Sequence, residues 1–335
     1  MNMIGARASS SSAIKDEVRY AYRLLLGREP DEAGLKHHAR LLANGDLSPV
    51  DLAQSLLRSE EYQSVHGQIS TLCETMIDDV KIYPWQGDRL IGDQLLATGD
   101  YEPNVLPQFL GSLKEGDHVL DVGANVGIYS LLAARRVGAD GVVYAIEPIA
   151  KNVRSLCAGI VANGFQNVSV LPVAASDKRS AIAVLRHSDS SNGIVDSNVS
   201  ASASTEYVPT QRLDELLAGI RRLDVVKIDI EGHEPRAWIG LSALIAKFRP
   251  LIFTEFSPVA IRNHSRSDPE SYLMDLFRFA SAKIVVLHRE GSKVECEGPS
   301  AVMREWKAAN QRYGLEGALH LDLVVDTRLQ AKLID

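Results

Sequence analysis

The chain has 335 residues, 45% hydrophobic and 24% charged, which is ordinary for a folded protein and long enough for about two domains. Its formal net charge is -7 and no run of Lys or Arg stands out, so charge gives no sign of nucleic-acid binding. The three cysteines are far apart and exclude a disulfide framework, and no apolar run approaches the ~20 residues that span a bilayer. We therefore expect a cytoplasmic protein without a transmembrane segment.

The first part of the chain predicts a leader followed by a small helical domain. Residues 1–13 are rich in Ser and Ala without an apolar segment, and we expect a disordered leader rather than a secretion signal. Apolar residues then recur at helical spacing over residues 14–67, which predicts an all-α accessory domain. Its adjacent histidines, His37 and His38, fit a solvated helix face better than a metal site.

Two stretches of this domain carry a resemblance. Residues 22–35 read YRLLLGREPDEAGL, and residues 57–62 read LRSEEY. The sequence of these two stretches resembles a small helical domain of unknown function found in bacteria beside glycosyltransferases and other glycan-modifying enzymes. The resemblance implies docking to proteins of glycan biosynthesis and implies no activity of its own.

The next segment, residues 68–100, is of mixed character, and we expect a linker that caps the domain at 101–335. Glu102 lies in a turn before a predicted helix at 105–113. An acid there is as consistent with a helix N-terminus as with a ligand contact.

A strand, a glycine turn and a helix follow in direct succession. The apolar run Val119–Val122 predicts a buried strand, Gly123 and Gly127 a sharp turn, and residues 128–137 a helix. A second predicted strand at 141–146 runs into Glu147. In nucleotide-binding α/β folds such glycines let the ligand approach the backbone, and the acid after strand 2 binds ribose hydroxyls.

The glycine turn also discriminates between nucleotides. A dinucleotide fingerprint requires glycine at positions 125 and 128, where this chain has Asn125 and Ile128, so NAD is disfavoured. An Asp before the first glycine, Asp121, together with Glu147 is the pattern of S-adenosylmethionine binding. Asp121 and nearby backbone can hold the amino-acid part, and Glu147 can accept both ribose hydroxyls.

Strands and helices continue to alternate as far as residue 325, which predicts a doubly wound, mostly parallel sheet with an antiparallel strand at its edge. Ligands bind such sheets at the carboxyl ends of the strands. The crevice there is expected to gather Gly123, Glu147, Ser176, Asp229 and Glu255. A polar insertion at 188–204 is either a lid or a disordered loop, and the apolar runs at 181–185 and 207–208 beside it can pair as a hairpin.

Five motifs in order resemble the FkbM family of methyltransferases: VLDVGANVG at 119–127, AIEP at 145–148, AASD at 174–177, VKIDIEGHE at 226–234 and TEF at 254–256. Residues 101–103, Tyr-Glu-Pro, fit the family pattern as well. The resemblance implies a Rossmann-like class I methyltransferase fold and methylation with S-adenosylmethionine, mostly of hydroxyl oxygens on sugars, polyketides and related products. By motif position it implies a cofactor site formed by Glu102, Asp121, Gly123, Asn125, Gly127, Glu147, Pro148, Ser176 and Asp229.

An alcohol must lose its proton to attack a methyl group, and the sequence offers two candidates to promote this loss, a general base and a metal ion. His233 can act as a base, with Asp229 and Glu231 as further catalytic candidates. Asp229, Glu231 and Glu255 can instead hold Mg2+ through their oxygens. Glu234 is open to a purely structural reading, since it lies at a helix N-terminus.

The sequence thus favours an O-methyltransferase acting on a sugar, a polysaccharide or a glycosylated natural product. The acceptor is expected to be a small molecule or a glycan rather than a nucleic acid. Two alternatives stay open: N-methylation of an amino sugar, and a docking protein that keeps the methyltransferase fold without catalysis.

Overall fold

The structure is a computed structural model, and it describes residues 11–57, 59–62, 72–85, 88, 91–185, 194–195, 205–280 and 283–328. The chain divides into two compact units between residues 71 and 72. None of the helices in the described ranges combines the length and the apolar character that crossing a membrane requires.

The first unit is helical, as predicted. Its helices are α1 (Ser11–Leu26), α2 (Glu32–Asn44) and α3 (Pro49–Leu57), and residues 60–62 begin a further turn of helix. The core of this unit is formed by Val18, Tyr22 and Leu26 of α1 together with Leu52 and Leu56 of α3. These residues recur every three or four positions, the period that places them on one face of each helix.

Local sequence sets the ends of α2. The Asp31 carboxylate accepts a hydrogen bond from the backbone N–H of Gly34 at 2.6 Å, which satisfies one of the free donors of the first turn. Gly45 ends the helix in the left-handed conformation, at φ +76°.

The second unit alternates strands and helices. Its strands are β1 (Thr75–Ile77), β2 (Val80–Ile82), β3 (His118–Val122), β4 (Val142–Ile146), β5 (Val168–Leu171), β6 (Ala174–Ala175), β7 (Ser180–Leu185), β8 (Ile194–Val195), β9 (Thr205–Gln211), β10 (Val225–Ile228), β11 (Leu251–Phe256), β12 (Ile284–Leu287), β13 (Lys293–Cys296) and β14 (Leu321–Asp326). Its helices are α4 (Gly92–Thr98), α5 (Leu106–Ser112), α6 (Ile128–Val137), α7 (Ala150–Asn163), α8 (Leu213–Leu216), α9 (Glu234–Phe248), α10 (Pro258–His264), α11 (Pro269–Phe279) and α12 (Pro299–Tyr313).

Within the described residues the main sheet has eight strands in the order β13-β12-β14-β11-β10-β3-β4-β5. The run from β11 to β5 is parallel throughout, which confirms the doubly wound α/β fold. An antiparallel strand does lie at the edge, but it is β13, which the sequence did not predict as a strand. The predicted last strand, β14, is also antiparallel and lies inside the sheet between β11 and β12.

The central strands form because their sequences are mostly apolar and are buried on both faces of the sheet. Every residue of β10 and β11 is buried, as are Val119–Val122 of β3. Strand order reverses between β3 and β10, since the chain moves outward through β4 and β5 and then returns beside β3. This reversal opens a crevice at the carboxyl ends of β3 and β10.

The polar insertion is carried on a hairpin arm. Strand β7 pairs with β9 in antiparallel register, with Ile182 opposite Val208, so the predicted pairing is confirmed. Residues 186–193 and 196–204 lie outside the described residues, and the choice between lid and disorder at 188–204 stays open. The arm packs Val208 and Ile182 against Ile149 and Ala174.

The segment before the parallel sheet is attached to α7. Asn163 accepts the backbone N–H of Lys81 at 2.9 Å and donates its amide to the Lys81 carbonyl at 2.8 Å. Ser155 also donates to the carbonyl of Tyr83. Residues 72–85 thus pack on the second unit, and the linker or cap expected at 68–100 stays a prediction.

Candidate active site

A cavity of about 700 Å³ lies at the carboxyl ends of β3, β4, β10 and β11. Of the residues predicted for the site, it is lined by Glu102, Gly123, Asn125, Glu147, Pro148, Asp229, Glu231 and Glu255. Asp121, Gly127, Ser176 and His233 are not among its lining residues.

Gly123 makes the first wall of this cavity possible. Its φ is +92°, and a Cβ at this position would lie 1.9 Å from the carbonyl oxygen of Asp229. No side chain fits that distance, so β3 can turn this close to β10 only with glycine. The N–H groups of Gly123 and Ala124 both donate to the carbonyl of Ile146, at 2.9 and 3.0 Å, and hold the turn against β4.

Gly127 has a different part in the same turn. It precedes α6 at φ +97°, and a Cβ there would lie 2.5 Å from Leu156 of α7. Gly127 therefore permits helix packing behind the cavity rather than ligand contact. Asn125 lies between the two glycines at φ +52° and lines the cavity itself.

Glu147 follows β4 and is oriented by three hydrogen bonds. Its Oε2 accepts the N–H of Asn125 at 2.9 Å, and its Oε1 accepts the N–H of Ile149 at 2.9 Å and the amide of Asn152 at 3.3 Å. Only 4% of Glu147 is exposed, and burial raises its pKa to about 7. A carboxylate has about four acceptor positions, so Oε2 can still accept from a ligand.

Lys227, which is buried, and Asp229, which is half-buried, form an ion pair beside the glycine turn. The Lys227 Nζ lies 2.7 Å from Asp229 Oδ2 and 4.2 Å from the centroid of the Tyr129 ring. Burial alone would raise the pKa of Asp229, but the Lys227 ammonium and a hydrogen bond from Glu255 hold it well below its ordinary value. The Tyr129 hydroxyl donates in turn to Glu102.

Glu255 and Asp229 are neighbouring carboxyl groups that interact through charge and a hydrogen bond. Burial and the Asp229 charge raise the pKa of Glu255 well above its ordinary value. Two carboxyl groups this close disfavour a second negative charge, and the Lys227 ammonium lies against Asp229.

The far wall of the cavity comes from a part of the chain for which the sequence predicted no functional residue. His320 and Asp322 line the cavity from the start of β14, and Arg289 lines it from the turn between β12 and β13. The Nδ1 of His320 lies 3.4 Å from Oε1 of Glu255. Burial raises the pKa of Asp322 to about 6. No sequence motif marks these positions, since only the antiparallel pairing of β14 with β11 brings them to the crevice.

His233, the base predicted from the sequence, does not line the cavity. It is 6% exposed, its Nε2 lies 3.1 Å from the Ser176 hydroxyl, and its Nδ1 is buried without a partner. Burial and the nearby Arg236 lower its pKa to about 4. This placement does not support proton transfer from an acceptor to His233, and it explains why Ser176 is also absent from the cavity wall.

Two neighbours of His233 have structural roles. Glu234 is 1% exposed, and its Oε1 accepts the N–H groups of Ile230 and Gly232, both at 3.0 Å. It thereby fixes the turn in which Glu231 takes a left-handed φ of +55°. Trp238 is 3% exposed and lies in the hydrophobic core.

The residues proposed for Mg2+ do not fit a metal ion. No group of three His, Cys, Asp or Glu among the described residues is arranged to hold one. Asp229 already has the Lys227 ammonium at 2.7 Å. Lys227 thus takes a position next to Asp229 that a metal ion would require.

Asp121 lies behind the cavity wall and is 1% exposed. Its Oδ2 accepts a hydrogen bond from the Ser130 hydroxyl at 2.6 Å, whereas its Oδ1 is buried without a partner. The predicted contact between Asp121 and a ligand amino group stays a prediction.

The lining of the cavity suits S-adenosylmethionine. Glu147 is a desolvated, oriented acceptor for ribose hydroxyls. Glu102 and Glu231 offer negative charge to a ligand that carries an ammonium and a sulfonium.

Comparison with protein families divides the chain in the same way. Residues 121–276 match the model of the methyltransferase FkbM domain, and residues 8–66 match a domain of unknown function, DUF4214. No curated protein matches the chain.

Solved structures that are similar to this chain include three methyltransferases. A methyltransferase FkbM from Methylobacillus flagellatus KT is 14% identical with a TM-score of 0.38, over 83% of this chain and 57% of that one. A SAM-dependent O-methyltransferase from Thermotoga maritima is 11% identical with a TM-score of 0.37, over 70% of each chain. A 16S rRNA methyltransferase from T. thermophilus, in complex with AdoMet and guanosine, is 17% identical with a TM-score of 0.39, over 76% of this chain and 50% of that one. At these values the likeness carries no argument about substrate or mechanism.

Proposed function

The chain is an S-adenosylmethionine-dependent methyltransferase of the FkbM family, and on this premise we propose that it methylates a hydroxyl of a sugar, a polysaccharide or a glycosylated natural product. The observation that supports the proposal best is that three features line the same cavity. These are the Gly123 turn, the Glu147 carboxylate and the Asp229–Lys227 pair.

The half of the cavity that would hold the methyl donor contains side chains that the protein already orients. Glu147 is held by the N–H groups of Asn125 and Ile149 and would accept ribose hydroxyls. Glu102 and Asp229 would face the cationic end of the cofactor. When bound, S-adenosylmethionine supplies a methyl group on a sulfonium, and the protein supplies alignment and a place for the acceptor proton.

The acceptor half of the cavity favours a polar substrate. Carboxyl groups of Glu255 and Asp322 line it together with His320 and Arg289. Such acceptors and donors match the hydroxyl groups of a sugar. The same carboxyl groups are compatible with an amino sugar, which keeps N-methylation as the second candidate.

Radiolabelled methyl transfer tests this function. The enzyme would be incubated with tritiated S-adenosylmethionine and a panel of methyl glycosides: neutral hexosides, 6-deoxyhexosides, 2-aminohexosides and hexuronides. We expect label on an oxygen of a neutral glycoside. Label on nitrogen alone would establish the N-methyl alternative. Label on ribosomal RNA with none on any glycoside would refute a carbohydrate acceptor.

Binding without transfer is the remaining alternative, a docking protein that keeps the fold. Calorimetry with S-adenosylmethionine distinguishes such a docking protein from an enzyme. An enzyme must bind the cofactor, whereas a docking protein does not need to. Absence of binding at millimolar cofactor would refute the enzyme.

We also propose that the helical unit docks the enzyme to proteins of glycan biosynthesis. The support is its DUF4214 match at residues 8–66 and its separate core around Val18 and Leu52. Pull-down of glycosyltransferases by the whole chain, but not by a variant with charge-reversed α2, is the expected result.

A further inference from the structure

We propose that His320, oriented by Glu255, is the base that takes the proton from the acceptor hydroxyl, because the antiparallel strand β14 brings its imidazole to the cavity 3.4 Å from the Glu255 carboxyl. The inference rests on the proposed O-methylation and names the residue that the reaction requires. His320 lies outside residues 121–276, the part of the chain that matches the family model.

The position of His320 is set by strand register. Leu321 pairs with Phe256 and Asp322 with Glu255 where β14 runs antiparallel to β11. His320 therefore stands one residue beyond this pairing, at the carboxyl end of β11, where the parallel strands present their ligand-binding edge. Its side chain is 38% exposed, so the ring combines contact with the cavity and access for a substrate.

Glu255 can orient the ring through one nitrogen and leave the other available. The Nδ1 faces Glu255, which leaves Nε2 as the atom that can accept a proton. A base whose second nitrogen is held by a carboxyl group is the arrangement on which imidazole catalysis commonly depends. A separation of 3.4 Å in the empty cavity is long, and such contacts shorten when the substrate is bound.

His320 lies among charged groups of the cavity. Asp229 and Asp322 interact with the imidazole through their charges, and Glu255 lies against its Nδ1. Lys227 and Arg289 are cations that line the same cavity.

The reaction then balances in one step. The acceptor oxygen forms a bond to the methyl carbon as the carbon–sulfur bond breaks, and the electron pair of that bond goes to sulfur. The proton of the acceptor hydroxyl passes to Nε2 of His320 and leaves to solvent after the product departs. The products are a methyl ether, S-adenosylhomocysteine and one proton.

Other groups in the cavity are less suited to the role. Asp229 is bound to Lys227 at 2.7 Å, and Glu255 lies against Nδ1 of His320. Asp322 is the main competitor of His320 as the base. One of its oxygens already accepts a hydrogen bond from the Asn104 amide at 3.3 Å, so it is less free to accept the proton.

The first test needs no acceptor. Nitrogen-15 spectra of the whole protein labelled at histidine, with S-adenosylhomocysteine bound, would be recorded for the wild type, His320→Gln and Glu255→Gln. The missing resonances of His320→Gln assign the ring. We expect a proton on Nδ1 and none on Nε2, and mixed tautomers in Glu255→Gln. A proton on Nε2 in the wild type, or spectra unchanged by Glu255→Gln, would overturn the proposal.

The second test measures transfer with tritiated S-adenosylmethionine and the methyl glycoside that the wild type labels. In His320→Ala we expect kcat to fall by about 10²- to 10⁴-fold. Cofactor affinity should stay within twofold, and added imidazole should restore part of the rate. His37→Gln, on an exposed helix, is the matched control. Full activity in His320→Ala would overturn the assignment. So would a similar loss of kcat in His320→Ala and Asp322→Asn that imidazole restores in neither variant. If the wild type labels no glycoside, the proposed function fails while the spectra still decide the state of His320.

Discussion

Replacement of Glu147 by Gln tests the donor half of the cavity directly. Gln presents one oxygen and one amide nitrogen, whereas both oxygens of Glu147 accept backbone N–H groups, from Asn125 and Ile149 at 2.9 Å each. One of these N–H groups therefore loses its acceptor, which costs about 1–3 kcal/mol of folding free energy. The ribose loses a charged acceptor as well, worth about 1.5–3 kcal/mol of binding free energy.

The expected result is a Kd for S-adenosylhomocysteine raised about 10- to 150-fold. Isothermal calorimetry at pH 8 measures it, since the Glu147 pKa of about 7 leaves the wild-type carboxylate ionised there. Glu115→Gln, at an exposed position, is the control and should bind as the wild type does. A Glu147→Gln variant that folds and binds within twofold of the wild type would show that this carboxylate does not hold the ribose.

Four further outcomes follow from the same structure. The affinity of the wild type for S-adenosylhomocysteine should rise between pH 6 and 8 as Glu147, with its pKa of about 7, loses its proton and becomes a better acceptor; calorimetry across this range should find no such rise in Glu147→Gln. Gly123→Ala should lose at least about 2 kcal/mol of unfolding free energy in urea, together with cofactor binding, because its Cβ would lie 1.9 Å from the Asp229 carbonyl. Burial raises the pKa of Glu234 to about 7, above the ordinary 4.5, so Glu234 contributes to a fall in wild-type stability as pH rises between these values, and thermal melts of Glu234→Gln should show a smaller fall. Leu52→Ala should destabilise the helical unit by about 2–5 kcal/mol while calorimetry finds cofactor affinity unchanged; a loss of affinity would contradict the independence of the two units.

Much of the fold follows from local patterns in the sequence. The apolar runs of β3, β10 and β11 are buried on both faces, and that composition marks a parallel central strand. The end of β4 is marked by Glu147, and the sharp turn after β3 by glycine. In these cases the signal and the structural cause lie within a few residues of each other.

The acceptor side could not be predicted in the same way. His233 lies beside the Asp229–Glu231 turn in the sequence, and proximity along the chain suggested a base. The start of α9 instead turns its ring toward Ser176. His320 is more than 60 residues from Glu255 in sequence, and only the register of β14 against β11 joins them.

The edge strand β13 was missed for a related reason. Its sequence, Lys293–Cys296, alternates charged and apolar residues over four positions, too short to stand out from a loop. Strand β12, with four apolar residues in succession, supplies the partner that makes it a strand.

The position of β14 inside the sheet affects the order in which the sheet can assemble during synthesis. A ribosome delivers β3, β4, β10 and β11 first, and at that stage the edge of β11 has no neighbour on its far side. The wall that carries His320 and Asp322 is added only when residues 321–326 have emerged and slid between β11 and β12. The residues proposed for the cofactor are therefore synthesised before those proposed for the acceptor, and the proposed base is added with the last described strand of the sheet to be made.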